Sequence, residues 1–306
     1  MNTPVLKPKA VRAGSVIGVV APASPVRKEF IDQGVAELER LGFRPRLGQR
    51  LYHRGRYTAG TASDRVNDWI ELWEDPDVSA LFCARGGYGS MDLLTRLSPE
   101  RALENPKVVL GSSDATALLA FLMSGARLLS FHGPMVAQQI ARGDYDRENL
   151  LMVLGSIEPP GRIAVETTER LHDGAAEGPL LGGCLSIVAA LAGTRFLPSF
   201  EGAILFLEDT QTKPYQIDRM LTQLRLAGLL DGVQGLVFGE MPGCEQHPDQ
   251  GYTLKEMLRD WTSYLHVPVL FGFPSGHTRS KGLTLPLGAH VRLDADGLTL
   301  LEGAVL

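Results

Sequence analysis

The sequence predicts an α/β protein, with a mostly parallel sheet covered by helices in its first half and a mixed α/β arrangement in its second. Three observations lead there. Short runs rich in β-branched residues alternate with stretches of helical periodicity, the pattern of repeated strand–helix–strand units. The runs are continuously apolar, as in SVIGVVA at 15–21, so those strands are buried on both faces. Between residues 134 and 162 the pattern weakens and ends in Pro159-Pro160-Gly161, which reads as a connection between domains. The expected organisation is an N-terminal domain over 1–140, a linker over 141–165 and a C-terminal domain over 166–306.

The elements follow in order. The run at 15–21 ends at Pro22 and forms the first strand; Phe30, Val35, Leu38 and Leu41 then mark one face of a helix that Gly42 stops. After a polar-flanked loop, Val66, Trp69, Ile70 and Trp73 recur at helical spacing, with Ser63 as the expected cap and Pro76 beyond the end. Residues 80–84 are the next strand, 91–97 are helical, 108–110 a strand, 116–123 a helix and 128–131 a strand. The second half restarts at Gly182-Gly183 with a helix through Ala192. A strand at 203–207, a helix at 215–227, a strand at 236–239 and a helix at 254–265 follow. A final strand pair at 291–301 folds around Asp294-Ala295-Asp296-Gly297.

Composition narrows the function classes. The 306 residues carry a net charge of −5, with 44% apolar and 21% charged residues. That leaves no basic footprint for nucleic acid and no polybasic signal for a membrane surface. Lys7, Lys9 and Arg12 are not followed by an apolar segment, and the weakly polar stretch at 180–193 is short and glycine-rich. Neither a signal peptide nor a membrane span is expected, and the predicted setting is cytoplasmic. Cys83, Cys184 and Cys244 are odd in number and far apart, which predicts buried, reduced thiols. The chain holds no HExxH, His-x-His or paired cysteine ligands, and no P-loop or GxGxxG after a strand. Neither a metal nor a nucleotide cofactor is therefore expected.

The residues that can carry chemistry sit at strand ends, where open α/β sheets bind ligands. In Gly111-Ser112-Ser113-Asp114 a buried strand runs into a turn and then a helix. That geometry lifts a serine hydroxyl beside unpaired backbone N–H groups that can stabilise an oxyanion. Ser113 stands directly before the helix and is the preferred nucleophile over Ser112, although Ser113 or Asp114 can equally serve as a helix cap. Gly86-Gly87, at the neighbouring strand end, offers bare backbone to a ligand or simply a tight turn. A serine needs a base. Of seven histidines, His277 stands out in a Pro-Ser-Gly-His-Thr loop behind the apolar run at 267–271, while His132 and His290 read as structural. A histidine base in turn needs an acceptor. Glu208 closes the strand at 203–207, although Glu208-Asp209 also reads as a solvated turn.

Taken in order, these pieces resemble the LD-carboxypeptidase family of serine peptidases over nearly the whole chain. The resemblance runs through residues 19–24, Arg85-Gly86-Gly87-Tyr88-Gly89-Ser90, the nucleophile segment 111–118 and His132-Gly133-Pro134. It continues through Gly182-Gly183-Cys184-Leu185-Ser186, Leu207-Glu208-Asp209 with 214–219, Phe273-Pro274-Ser275-Gly276-His277-Thr278 and 285–288. It implies a flavodoxin-like N-terminal domain carrying Ser113, a C-terminal domain supplying Glu208 and His277, and an interface site, usually in a homodimer. It implies an oxyanion hole from the amides of Gly87 and Asp114, and release of a terminal D-alanine from murein tetrapeptides in cell-wall recycling. Ser112 stands where the family has an aromatic residue and Cys184 where it has asparagine, which puts substrate choice in doubt. A substrate ending in a carboxylate calls for a cation, and Arg85 beside Gly86 is the candidate. Two other readings stand beside this one. A peptidase on the same scaffold cleaves nucleotide antibiotics such as microcin C, a branch with a longer aromatic-bearing loop near the base, whereas 238–254 here has no tryptophan. A non-catalytic ligand-binding protein is the other.

Overall fold

A computed structural model of the chain describes residues 5–163, 165 and 168–306. The first half runs β1 Val16–Val20, α1 Lys28–Arg40, β2 Arg44–Leu47, α2 Ala62–Glu74, β3 Val78–Cys83, α3 Pro99–Glu104, β4 Val108–Gly111, α4 Thr116–Ala126, β5 Ser130–His132 and α5 Arg147–Gly155. The second half runs β6 Gly161–Ile163, β7 Glu169–His172, β8 Ala176–Cys184, α6 Leu185–Leu191, β9 Ile204–Glu208, α7 Pro214–Leu226 and β10 Gly235–Gly239. It closes with α8 Leu254–Thr262, β11 Val269–Phe273, β12 Leu285–Leu287, β13 His290–Asp294 and β14 Gly297–Leu300.

The first sheet has the order β12-β5-β4-β3-β1-β2, parallel except for β12. Its five N-terminal strands thus follow 2-1-3-4-5, the flavodoxin-like winding expected from the resemblance. The second sheet has the order β6-β14-β13-β8-β9-β10-β11-β7, with β8 to β11 parallel and the rest antiparallel. The fold is therefore α/β with two sheets.

The strands missed in the sequence share a physical reason. β2 contains Pro45 and two arginines, and β12 contains Pro286; both lie at an edge of the first sheet, where a missing N–H is tolerated. β8 is interrupted by Pro179 and three glycines, and the three-residue β6 and four-residue β7 are edge strands too. Two local expectations need correction. The cap of α2 is Thr61, not Ser63: its hydroxyl accepts from Asp64 N at 3.1 Å while the Asp64 carboxylate accepts from Thr61 N at 2.8 Å, a reciprocal box that Ser63 cannot form. Residues 91–97 make one 3-10 turn at Ser90–Leu93, and helix resumes at α3 with Pro99 in its first turn, because Pro disfavours helical backbone in the residue before it.

Two apolar clusters explain how the sheets meet. The larger surrounds the first sheet with Phe82, Leu110 and Phe131 and also takes in Phe206, Val237 and Phe273 of the second. One face of the second sheet is thereby buried against the first half. Its other face packs Leu205 and Phe238 with Leu221 of α7 and Leu258 of α8. The segment expected as a linker holds α5, whose Leu150, Val153 and Leu154 are buried in the larger cluster. Together with β12, which returns from the second half to pair with β5, it stitches the halves together and directs the carboxyl ends of both sheets to one junction.

Candidate active site

At the end of β4 the backbone does something unusual. Ser112 is extended and buried, whereas Ser113 takes a left-handed φ of 56° and is only partly buried. A non-glycine residue there costs about 1 kcal/mol, and α4 begins three residues later. Across from it, a Cβ on Gly86 would stand 2.8 Å from Ser113 Oγ and 3.4 Å from Asp114 N. The missing side chain leaves open the space beside hydroxyl and amide together. Gly87 has a φ of 112°, and its Cβ would fall on Ser24 Oγ. Ser24 ties this turn down, accepting from Tyr88 N at 3.2 Å and donating to Tyr57 O at 2.8 Å. The Asp114 side chain caps a different element from the one read in the sequence: it accepts from Ser90 N at 2.8 Å, and burial raises its pKa.

The second sheet brings an acid and a base together. Glu208 ends β9, fully buried. Its Oε2 accepts from His277 Nδ1 at 2.7 Å and from the His277 backbone N–H at 3.0 Å. With Nδ1–H so engaged, the neutral ring has its lone pair on Nε2. Gly276, at a φ of 77°, permits the approach, since a Cβ there would lie 2.6 Å from His132 Cε1 and 2.7 Å from Glu208 Cδ. Burial alone would raise the Glu208 pKa, but the His277 charge and bonds from both histidines pull it well below the usual carboxylate range. Burial alone would lower the His277 pKa, and Glu208 outweighs it, leaving the imidazolium favoured above its ordinary range. The neighbouring Asp209 is spent on structure, accepting from Ser186 N at 2.9 Å at the start of α6 and from Thr210 N and Thr212 Oγ1.

His132 also belongs here, which the sequence reading missed by taking it for a turn residue. It is fully buried at the end of β5. Its Nδ1 lies 3.0 Å from Ser275 Oγ, which lies 2.9 Å from Leu283 O. Its Nε2 lies 3.6 Å from the otherwise unpartnered Oε1 of Glu208. The signal available in the sequence was its position directly after a buried strand, before Gly133-Pro134.

Direct hydrogen bonds join the two strand ends. Thr116 Oγ1, in the first turn of α4, accepts from Cys184 N at 3.0 Å, and Cys184 stands opposite Glu208 in register. Gly111, two residues before Ser113, pairs with His132. Among the described residues no hydrogen bond joins Ser113 to His277; such contacts commonly tighten only when substrate is bound. Arg85 Nη1 donates to Pro25 O at 3.1 Å, bracing the loop after β1, and its Nε is buried without a partner. Arg279, two residues beyond His277 in the chain, helps line a cleft of about 570 Å³ whose walls also include Glu240, Glu245, Tyr252 and Phe271. Cys83, Cys184 and Cys244 are buried free thiols. No helix among the described residues is long and apolar enough to cross a membrane.

Two family descriptions match the chain: the LD-carboxypeptidase N-terminal domain over residues 17–133 and the LD-carboxypeptidase C-terminal domain over residues 177–293. A probable murein peptide carboxypeptidase of Bacillus subtilis is 32% identical over 304 residues, covering 98% of this chain and 95% of that protein. A microcin self-immunity protein of Escherichia coli is 28% identical, covering 90% of this chain and 88% of that protein. The crystal structure of a muramoyltetrapeptide carboxypeptidase from Oxalobacter formigenes superposes with a TM-score of 0.82 at 30% identity, covering 93% of this chain and 97% of that one.

Proposed function

The chain belongs to the LD-carboxypeptidase family, and from that premise we propose that it is a serine peptidase using Ser113 as nucleophile, His277 as base and Glu208 as the acid that orients the base. The substrate in this reading is a murein tetrapeptide, cut to release its C-terminal D-alanine. The observation that carries it is the 2.7 Å bond from His277 Nδ1 to the buried Glu208, which leaves Nε2 to take a proton. Ser113 stands at the same junction on a left-handed turn.

The steps follow from these roles. Ser113 Oγ attacks the carbonyl carbon as its proton passes to His277 Nε2, and the new oxyanion is held by the amides of Gly87 and Asp114. Collapse breaks the C–N bond, with His277 protonating the departing amine. Water then attacks the acyl carbon, gives its proton to His277, and frees Ser113. Arg85, with one of its five donors spent on Pro25, reads the terminal carboxylate. The enzyme works as a cytoplasmic homodimer in this reading and needs no metal or other cofactor.

A second reading, cleavage of nucleotide–peptide antibiotics, draws support from the microcin self-immunity relative and from the roomy cleft lined by Tyr252 and by Arg279 of the loop that carries His277. One assay separates the two. The protein is incubated in excess chelator with a murein tetrapeptide and, separately, with a nucleotide–peptide conjugate. Release of D-alanine from the first alone supports the murein reading, cleavage of the second alone overturns it, and a need for added metal overturns the serine mechanism.

A further inference from the structure

We propose that Cys184, Glu208 and His277 form a site for one thiophilic divalent cation of the zinc class, and that its occupation switches the peptidase off. One ligating atom of each residue, the thiol sulfur, a carboxylate oxygen and a ring nitrogen, lies within 4.8 Å of the other two. The site is built on rigid elements: Cys184 ends β8 directly opposite Glu208 at the end of β9, and both are buried. His277 is the one member open to solvent, its side chain a quarter exposed.

Sulfur, imidazole nitrogen and carboxylate oxygen are the donors zinc selects, at roughly 2.0–2.3 Å each. Ligands at such distances around a tetrahedral ion stand about 3.5 Å apart, so the set has to contract by about 1 Å as the ion binds. Three protein ligands leave the fourth position to water. Charge favours the ion as well. Glu208 and Asp209 sit side by side, and their hydrogen-bond and ion-pair partners among the described residues are histidines, backbone N–H groups, hydroxyls and the Cys184 thiol, with no lysine or arginine. The Asp209 carboxylate is 3.9 Å from Cys184 Sγ. On binding, the thiol loses its proton to solvent, the ring meets the ion through an unprotonated nitrogen, any proton there likewise leaving to solvent, and the ion takes up the thiolate.

The consequence for the reaction follows from shared atoms. A cation on Glu208 and His277 occupies the base that has to accept and return the Ser113 proton and the carboxylate that orients it, so binding and turnover exclude each other. Inhibition rests on the proposed triad, whereas metal binding stands on the cluster alone. The experiment keeps them apart.

Metal-free protein without substrate is titrated with Co²⁺, whose thiolate charge-transfer absorption reports sulfur ligation, and Zn²⁺ is then added in competition. One equivalent is expected, with an absorption lost in Cys184→Ser and retained in Cys83→Ser and Cys244→Ser, all variants checked by circular dichroism. Loss of a mere outer-shell partner costs roughly 10–100-fold in metal affinity, so loss of this direct ligand should weaken Zn²⁺ by at least that much. In a second arm, Zn²⁺ slows labelling of Ser113 by a serine-reactive probe, chelator restores it, and Cys184→Ser labels at a rate independent of Zn²⁺. Absorption that persists in Cys184→Ser, or equal Zn²⁺ affinity in the two proteins, overturns the site. Labelling unaffected by bound Zn²⁺ overturns the inhibition. A protein that binds Co²⁺ through Cys184 but never labels at Ser113 keeps the site and counts against the triad.

Discussion

At the carboxyl end of the first sheet, groups are presented by backbone shape; at the carboxyl end of the second, they are held by charge. Ser113 owes its position to a left-handed turn and to the missing side chain of Gly86, which leaves the hydroxyl and the Asp114 amide uncovered. Glu208 and His277 owe theirs to a buried carboxylate that gathers a backbone N–H and two imidazoles around itself. Backbone shape is written within a few residues, while a charge network is assembled from segments far apart in the chain. The two ends should therefore fail differently: changes at the first should spare the pH profile and change the rate, and changes at the second should alter both.

The largest effect tests the point where the two regions meet. Ser113→Ala should lower kcat by about a millionfold, the scale of losing a serine nucleophile, with the thermal midpoint preserved, since alanine keeps the Cβ at the same left-handed turn. D-alanine release at the wild-type rate would remove Ser113 from the mechanism. Next comes Glu208→Gln, nearly isosteric, which should cost about 10⁴-fold by releasing the ring from its tautomer. It should also lower stability, because the bond to the imidazole loses its charge. Gly86→Ala follows, at about a hundredfold or more, since its methyl would intrude between Ser113 Oγ and the Asp114 amide. Its acid limb should coincide with the wild-type one; a shifted limb would mean the two ends are not separable.

The pH dependence sharpens the contrast. His277 has to be neutral to accept a proton, and Glu208 holds its pKa above the ordinary value of 6.5. The kcat/KM should therefore fall as pH drops, with an apparent pKa above 6.5, and Glu208→Gln should move that limb to lower pH. The same linkage has a stability sign. The His277 contribution is complete below its unfolded pKa and fades as pH rises through the folded one, while that of Glu208 is complete above 4.5 and is lost as pH falls through its depressed pKa. Denaturant midpoints across the pH range would check both.

The same division governs what was legible in the sequence. Four of the five parallel strands of the first sheet and the turn at Ser113 read clearly, because a continuous apolar run followed by a small-residue turn and a helix is a local pattern. The strands carrying Pro45, Pro179 and Pro286 did not, because their strand character comes from pairing and not from composition. Glu208 and Asp209 are neighbours with the same chemistry in sequence, yet one enters the site and the other caps α6. Only the register of β8 against β9, which sets which carboxylate lies across from Cys184, separates them.

His132 is where the comparison is most delicate, because it ends a strand of the first sheet while its ring faces the acid of the second. If Ser275 gives its single proton to Leu283 O, its oxygen accepts Nδ1–H of His132, and the neutral ring turns the Nε2 lone pair toward the carboxylate. If Ser275 instead donates to Nδ1, the neutral ring already presents Nε2–H to Glu208. In that second arrangement His132 turns a donor toward Oε1 from 3.6 Å, and such a donor, once drawn into hydrogen-bonding range of a charged group, is worth about 1.5–3 kcal/mol. His132→Phe removes the donor and keeps a ring of similar shape against Phe206. It should lower kcat roughly tenfold or more with KM nearly unchanged, and move the acid limb of kcat/KM because the carboxylate that sets the His277 pKa has lost a donor. His132→Gln, which can still donate to Oε1, should recover much of that rate. A packing role alone would give the reverse order, with the aromatic variant the more active and both acid limbs unmoved.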